Sequence, residues 1–234
     1  MNKLKVYCAS VVYRKILDKF PQYLIPLGMG KGKFPKHWLN ENDGDNIAHL
    51  NQFYGEHSGI YWVWKNQIKG LKKDDWVGFC QYRKFWLNEK FKEKQKFSFN
   101  NLNANLLKDN NNIFLNNDAI LVQPIIYSNK NLFQDFRDTH KSNTLEKSLD
   151  FLERNEKEKF KIHLNNNTLY GLNMFITKVE HFENYCEAVF PWLEKCYNYC
   201  EENNLLNDYN IRLPSFLSER FVSYWFSQFD KKTT

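Results

Sequence analysis

Asp74-Asp75-Trp76-Val77-Gly78-Phe79-Cys80-Gln81-Tyr82-Arg83-Lys84 is the stretch whose reading decides the fold. Its two acids turn the chain into five uncharged residues, 76–80, too few for a helix and apolar enough for a strand buried inside a sheet. Four polar residues follow at once. Ligands of parallel sheets collect at the carboxyl ends of the strands, so 81–84 become candidate contacts as soon as the strand is placed. The flanking sequence supplies the rest of the sheet. Residues 3–12 read as a buried first strand, 119–122 as a strand broken by Pro124, and 170–177 as a further strand. A helix is expected over 47–69, with Asp45 or Asn46 as its N-cap and Gly70 as its stop. Further helices are expected at 130–141, 143–158 and 179–203, and an aromatic one at 214–229. Residues 21–45 hold Pro21, Pro26, Pro35 and four glycines and read as loop; the polar 88–117 fit neither period. Strands alternating with helices predict an α/β fold, a Rossmann-type, mostly parallel sheet flanked by helices, in one domain over 1–234.

Composition sets the class. Of 234 residues 42% are apolar, too many for disorder, and no apolar run is long enough to span a membrane. The basic start, Met1 to Lys5, leads into Val6–Val12, whose Tyr7, Cys8 and Ser10 make a poor secretory core, so a first strand is expected there rather than a leader. Five cysteines without recurring spacing argue against a disulfide framework and for a reducing cytoplasm. Cys186, Cys196 and Cys200 share one helical face, as buried packing would, and no paired Cys or His spacing suits zinc. The net charge of +6 is uneven: residues 1–100 carry 18 Lys/Arg against 9 Asp/Glu, and 101–234 carry 15 against 18. An anionic ligand is therefore sought in the first half. Lys outnumbers Arg 27 to 6 and Asn occurs thirty times, as a codon bias would leave them, so single lysines weigh little.

Three segments carry polar residues that a core does not need. In 43–66, a stripe of Asn51, Gly55, Ser58, Trp62 and Lys65 runs beside the apolar face. Gly55 inside a helix costs about 1 kcal/mol relative to Ala, so something is expected to pack closely there, a ligand or a neighbouring strand. Asp43-x-Asp45 reads as a turn and cap as readily as a cation site. In 81–84, Arg83 and Lys84 at a strand's carboxyl end suit a diphosphate. In 212–225, Glu219 and Arg220 sit inside an aromatic helix, where a half-buried Glu219 could act as a general base.

These segments together resemble the bacterial DUF4422 family. The resemblance rests on Asn46-Ile47, Asn51, Glu56, Tyr61-Trp62-x-Trp64-Lys65-Asn66 and Gly78-x-x-Gln81-Tyr82-Arg83-Lys84. Phe136 to His140, Asn173-Met174-Phe175-Ile176, Arg212 and Leu217-x-Glu219-Arg220 follow in the same order. Gln81 stands where the family pattern has His and Lys84 where it has Arg; Val11, Val12 and Tyr13 occupy the place of a further His. The family implies a GT-A-like fold and a small glycosyltransferase of capsule, O-antigen or exopolysaccharide synthesis. On that resemblance a nucleotide-sugar donor, a UDP-sugar first, would lie against the first strand at Ala9 and the helix at Asn46, Asn51, Gly55 and Lys65. Gln81, Tyr82, Asn173 and Arg212 would complete the binding set. Arg83 and Lys84 would neutralise the leaving diphosphate, and Glu219 would activate the acceptor hydroxyl. No metal ligand is assigned, and the need for Mn²⁺ or Mg²⁺ is left open.

The acceptor is expected to be a glycan on a lipid carrier at the inner face of the cytoplasmic membrane. The aromatic final helix and Lys231-Lys232 would allow a peripheral contact there. Two rival readings stand beside this one. A non-catalytic carbohydrate- or nucleotide-binding module would fit the missing histidines. Nucleic-acid binding would fit the basic first half, but no nucleic-acid motif is present and no such partner is expected.

Overall fold

Trp76 and Cys80 are buried on one face of their strand, Val77 and Phe79 on the other, the two-sided burial that an uncharged run demands. Gly78 sits between them because a Cβ there would lie 2.6 Å from Ile176 of the neighbouring strand. The computed structural model describes residues 3–88, 99–108, 111–230 and 232–233. Its strands are β1 (Leu4–Ser10), β2 (Leu24–Gly28), β3 (Leu39–Asn40), β4 (Trp76–Gln81), β5 (Ala119–Leu121), β6 (Ile125–Ile126), β7 (Thr168–Leu169), β8 (Phe175–Lys178) and β9 (Lys232–Thr233). Its α-helices are α1 (Asn51–Tyr54), α2 (Glu56–Asn66), α3 (Phe99–Asn105), α4 (Leu132–His140), α5 (Thr144–Ser148), α6 (Arg154–Leu164), α7 (Val179–Glu202) and α8 (Leu213–Ser227).

Seven strands form one sheet in the order β3-β2-β1-β4-β8-β5-β9. The first four are parallel, β5 and β9 are parallel to each other, and β8 runs against both of its neighbours. The sheet is thus mostly parallel, as expected, and β1 and β4 end side by side at Ser10 and Gln81. One face is covered by α2, α7 and α8 around Tyr7, Phe79, Phe175, Tyr185 and Phe221. The other buries Val6, Cys8 and Ile176 against Trp38, Leu102 and Leu106. All five cysteines are free and buried, and burial pushes the Cys200 thiol up to about 12.

Four expectations change. The loop 21–45 contains β2 and β3, because Leu24 and Leu27 pack into the sheet despite Pro26 between them. The helix 47–69 is broken: a 3₁₀ turn at Ala48–Leu50 leads into α1, and Gly55 separates α1 from α2 at φ 55, ψ −130, a backbone state open to glycine. The strand expected over 170–177 starts only at Phe175, after a turn with Leu172 and Asn173 at φ 74 and 52. The helix expected over 143–158 divides into α5, a 3₁₀ turn at Leu149–Phe151 and α6. Of Lys231-Lys232, Lys231 lies outside the described residues, as do 89–98 and 109–110 of the unassigned stretch. Lys232 pairs with Ala119 in the sheet.

Candidate functional site

The parallel strands β1, β2 and β4 deliver Ala9, Met29 and Gln81 to one edge of the sheet. There they meet the α1–α2 break and Arg212, just ahead of α8, around a cleft of about 270 Å³. A second hollow of the same volume, between α2 and α7, is walled mostly by Ile47, Leu50, Tyr54, Tyr61, Trp64 and Phe190. The sheet-edge cleft is the one with chemistry.

Gln81 occupies its floor. The side-chain Nε2 donates to Glu56 Oε1 and to the Leu172 carbonyl, both at 3.0 Å. Both partners can only accept in this arrangement, so the amide nitrogen is identified by its neighbours. Glu56 opens α2, where a carboxylate suits the helix's positive end, and its Oε2 is 3.5 Å from Arg212 Nη2. A tight turn follows Gln81: the Lys84 N–H donates to the Gln81 carbonyl at 2.9 Å, and the Gln81 N–H to the Lys84 carbonyl at 3.2 Å. Tyr82 is tied to β1 by its N–H on the Ala9 carbonyl, 3.0 Å. This turn puts the exposed Arg83 at the cleft wall, its guanidinium 5.0 Å from the Tyr82 ring centre. Arg14 approaches the same ring to 5.6 Å. Neither guanidinium has an acidic partner among the described residues. Three of the chain's six arginines thus gather here, against a composition that overwhelmingly uses lysine.

The cleft therefore brings together Ala9, Asn51, Gly55, Gln81, Tyr82, Arg83 and Arg212 of the expected set. Gly55's close neighbours are Arg212 and Ser215: a Cβ there would lie 2.5 Å from Arg212 Nη2 and 2.7 Å from Ser215 Oγ. Asn51 donates to Ser58 Oγ at 2.8 Å, and Ser58 Oγ to the buried Glu41 at 2.6 Å. Glu41 also accepts the Gly30 N–H at 2.5 Å. Burial raises the Glu41 carboxyl above its ordinary range, outweighing the bonds from Ser58 and Gly30.

The remaining expected residues lie elsewhere. Asn46 closes the 42–46 turn, its Oδ1 accepting the Ala48 N–H and its amide donating to two carbonyls. Lys65 rests 3.4 Å above the Trp64 ring. The Lys84 side chain is exposed beside the turn and is not part of the cleft wall. Asn173 is buried in the positive-φ turn with its Oδ1 unpartnered. Glu219 places one oxygen on the Leu172 N–H and the other 3.0 Å from Arg220; Arg220 is held in turn by the buried Asp135 at 2.8 Å. The carboxylate thus holds the turn whose carbonyl fixes Gln81. Sequence reasoning gave no role to Glu41, Glu56, Arg14, Met29, Val11 or Gln52; of these, Glu56 stood inside a quoted motif and Val11 where the family pattern has a further His.

The cleft does not fit a divalent ion. Glu56 is the acid in its wall, and both its oxygens face donors. Among the described residues no group of three His, Cys, Asp or Glu is placed to hold a metal.

The sequence matches no curated protein. The fold is similar to the apo structure of the WbbM bifunctional glycosyltransferase, with a TM-score of 0.68 at 20% identity, covering 100% of this chain and 44% of that one. The chain thus spans less than half of that protein, and the likeness speaks for a shared fold. The family model described as a domain of unknown function, DUF4422, matches residues 8–232. With nearly its whole length matched, the chain belongs to the DUF4422 family.

Proposed function

We propose that the chain, as one domain, is a cytoplasmic glycosyltransferase. It would move a hexose, as pyranose or furanose, from a nucleotide-sugar such as a UDP-sugar to a bacterial capsule, O-antigen or exopolysaccharide carried on a lipid. In such a transfer the anomeric C–O bond to the diphosphate breaks with its electron pair leaving on the phosphate. An acceptor oxygen forms the new bond and passes its proton to water or to the departing diphosphate. The observation that carries the reading is Arg83 and Arg212 meeting in one cleft at the carboxyl edge of the sheet, where α/β folds hold phosphates. Two guanidinium groups can meet the developing diphosphate charge with planar forks.

Arg83→Ala tests it. A charge-assisted hydrogen bond contributes roughly 1.5–3 kcal/mol, so turnover of the nucleotide-sugar that stabilises the protein most in a thermal-shift screen should fall about ten- to a hundredfold. Arg83→Lys should recover part of it, lacking the fork. Wild-type turnover by Arg83→Ala would remove the residue from the reaction. The binding-module reading is favoured by one feature: Gln81 cannot ionise, and its amide nitrogen is spent on Glu56 and Leu172. Stabilisation by nucleotide-sugars without transfer or hydrolysis of any of them would select it.

A further inference from the structure

Residues 11–38 carry nearly all of the chain's excess charge. Arg14, Lys15, Lys19, Lys31, Lys33 and Lys36 share this segment with a single acid, Asp18, a net of +5 against +6 for the whole protein. All six cations are exposed. Asp18 is engaged with Tyr13 Oη at 2.8 Å and Trp38 Nε1 at 2.6 Å, with His37 Nε2 3.0 Å away. Those bonds fold residues 11–19 and 31–38 into one surface. Tyr13 packs 5.4 Å from Trp38, Phe34 stacks on Trp38, and Gly32 approaches the Val11 carbonyl so closely that a Cβ would lie 2.7 Å from it.

Large apolar side chains stand open on the same segments as these cations. Val11 is 50% exposed, Val12 39%, Tyr13 42% and Ile16 38%, four of the nine most exposed among the described residues, within six positions of sequence. Val11 also forms part of the cleft wall. An exposed apolar patch that shares its surface with cations marks an interaction surface, and its two chemistries select the partner. Lysines attract any polyanion, but valine and isoleucine gain only from an apolar medium, which a sugar–phosphate chain does not offer.

We propose that this face docks the protein on an anionic lipid bilayer, with Val11, Val12, Tyr13 and Ile16 entering the headgroup–acyl boundary and the six cations on the lipid charges. The cleft then opens at headgroup level. Its purpose rests on the transferase reading, since a lipid-carried acceptor would meet the cleft at Val11.

Sedimentation with lipid vesicles tests the docking without any turnover, so it can fail while the transferase reading stands, and the reverse. The protein should bind vesicles of phosphatidylglycerol mixed with phosphatidylcholine, bind phosphatidylcholine alone far more weakly, and be released progressively by salt. Each basic residue near an anionic surface contributes roughly fivefold, so Lys31→Glu/Lys33→Glu should weaken binding at least about tenfold. Val12→Asp/Ile16→Asp keeps every cation and should also lose about tenfold or more from lost apolar insertion. Both side chains face solvent, and a melting temperature near wild type checks folding; Val12→Ser/Ile16→Ser serves if the charged pair unfolds. Wild-type protein that stays in solution with mixed vesicles would overturn the proposal. So would equal binding by the Val12/Ile16 variant, or binding to single-stranded DNA without binding to vesicles, which would assign the face to nucleic acid.

Discussion

At Glu219, side-chain type and position point in different directions. A carboxylate inside an aromatic helix has the chemistry of a base, yet its oxygens face the Leu172 N–H and Arg220, and the cleft wall ends at Gln81 and Arg212. That arrangement makes it a positioning residue for the 171–173 turn. Glu219→Gln keeps an acceptor for the Leu172 N–H and should retain most turnover, with kcat and KM both near wild type. Glu219→Ala leaves that N–H without its partner and should lower stability by about 1–3 kcal/mol while weakening turnover through Gln81. A loss of at least about a hundredfold in Glu219→Gln, with donor affinity kept, would make Glu219 the base instead.

The α1–α2 break shows an element built around one backbone state. Gly55 at φ 55, ψ −130 lets α2 begin afresh, so that Glu56 points into the cleft from a helix N-terminus instead of lying mid-helix. The lack of a Cβ also lets Arg212 and Ser215 close over it. Gly55→Ala carries both costs: backbone strain of about 1–3 kcal/mol and displacement of Arg212 from Glu56. Gly70→Ala is the control, since Gly70 has φ 89 but nothing within 4 Å of its added Cβ. Urea unfolding should show a larger loss at Gly55 than at Gly70, and donor affinity should fall for Gly55→Ala alone. Equal losses would mean that the close approach of Arg212 contributes nothing.

For the whole molecule, three buried imidazoles set the response to acid. Burial holds His57 down to about 3 and His163 to about 4. Burial, with Arg220 nearby and Asp135 partly opposing it, holds His140 to about 4. Hydroxyl groups meet both ring nitrogens of His57, from Tyr185 and Ser218, and of His163, from Ser223 and Ser227, an arrangement matched to the neutral ring. A depressed histidine contributes stability that is full above its unfolded pKa of about 6.5 and is lost as pH falls towards the folded value, since the unfolded chain then binds more protons. Each imidazole removes up to about 1.4 kcal/mol per pH unit in that window. Glu41, raised by burial, acts in the opposite sense with a single carboxyl. The urea midpoint should therefore fall steadily from about pH 6.5 to about pH 5; a level profile would mean that these rings charge within the folded protein.

The uncharged run at 76–80, the buried cysteine face and the α/β alternation were legible in the sequence because burial and periodicity are written in neighbouring residues; the stop expected at Gly70 was not, since α2 ends at Asn66 with Gln67 as its C-cap. The sequence also marked Asn51, Gln81, Tyr82, Arg83 and Arg212 as polar residues a core has no use for, and Gly55 as a costly residue within a helix. It did not separate the ones that meet from the ones that do not. Lys65 and Asn51 share one stripe, yet Lys65 lies on Trp64 while Asn51 reaches Ser58. Glu41 sits in what read as loop and is buried through Gly30 and Ser58. Strand β2 carries a proline and forms because β1 and β3 flank it. The α1–α2 break was invisible because helical spacing runs through it on both sides, and Gly55 takes its positive φ where Arg212 and Ser215 arrive from more than 150 residues away. Local propensity is set by the nearest few residues; which side chains share a cleft is set by strand order and helix packing, and those depend on contacts between distant parts of the chain.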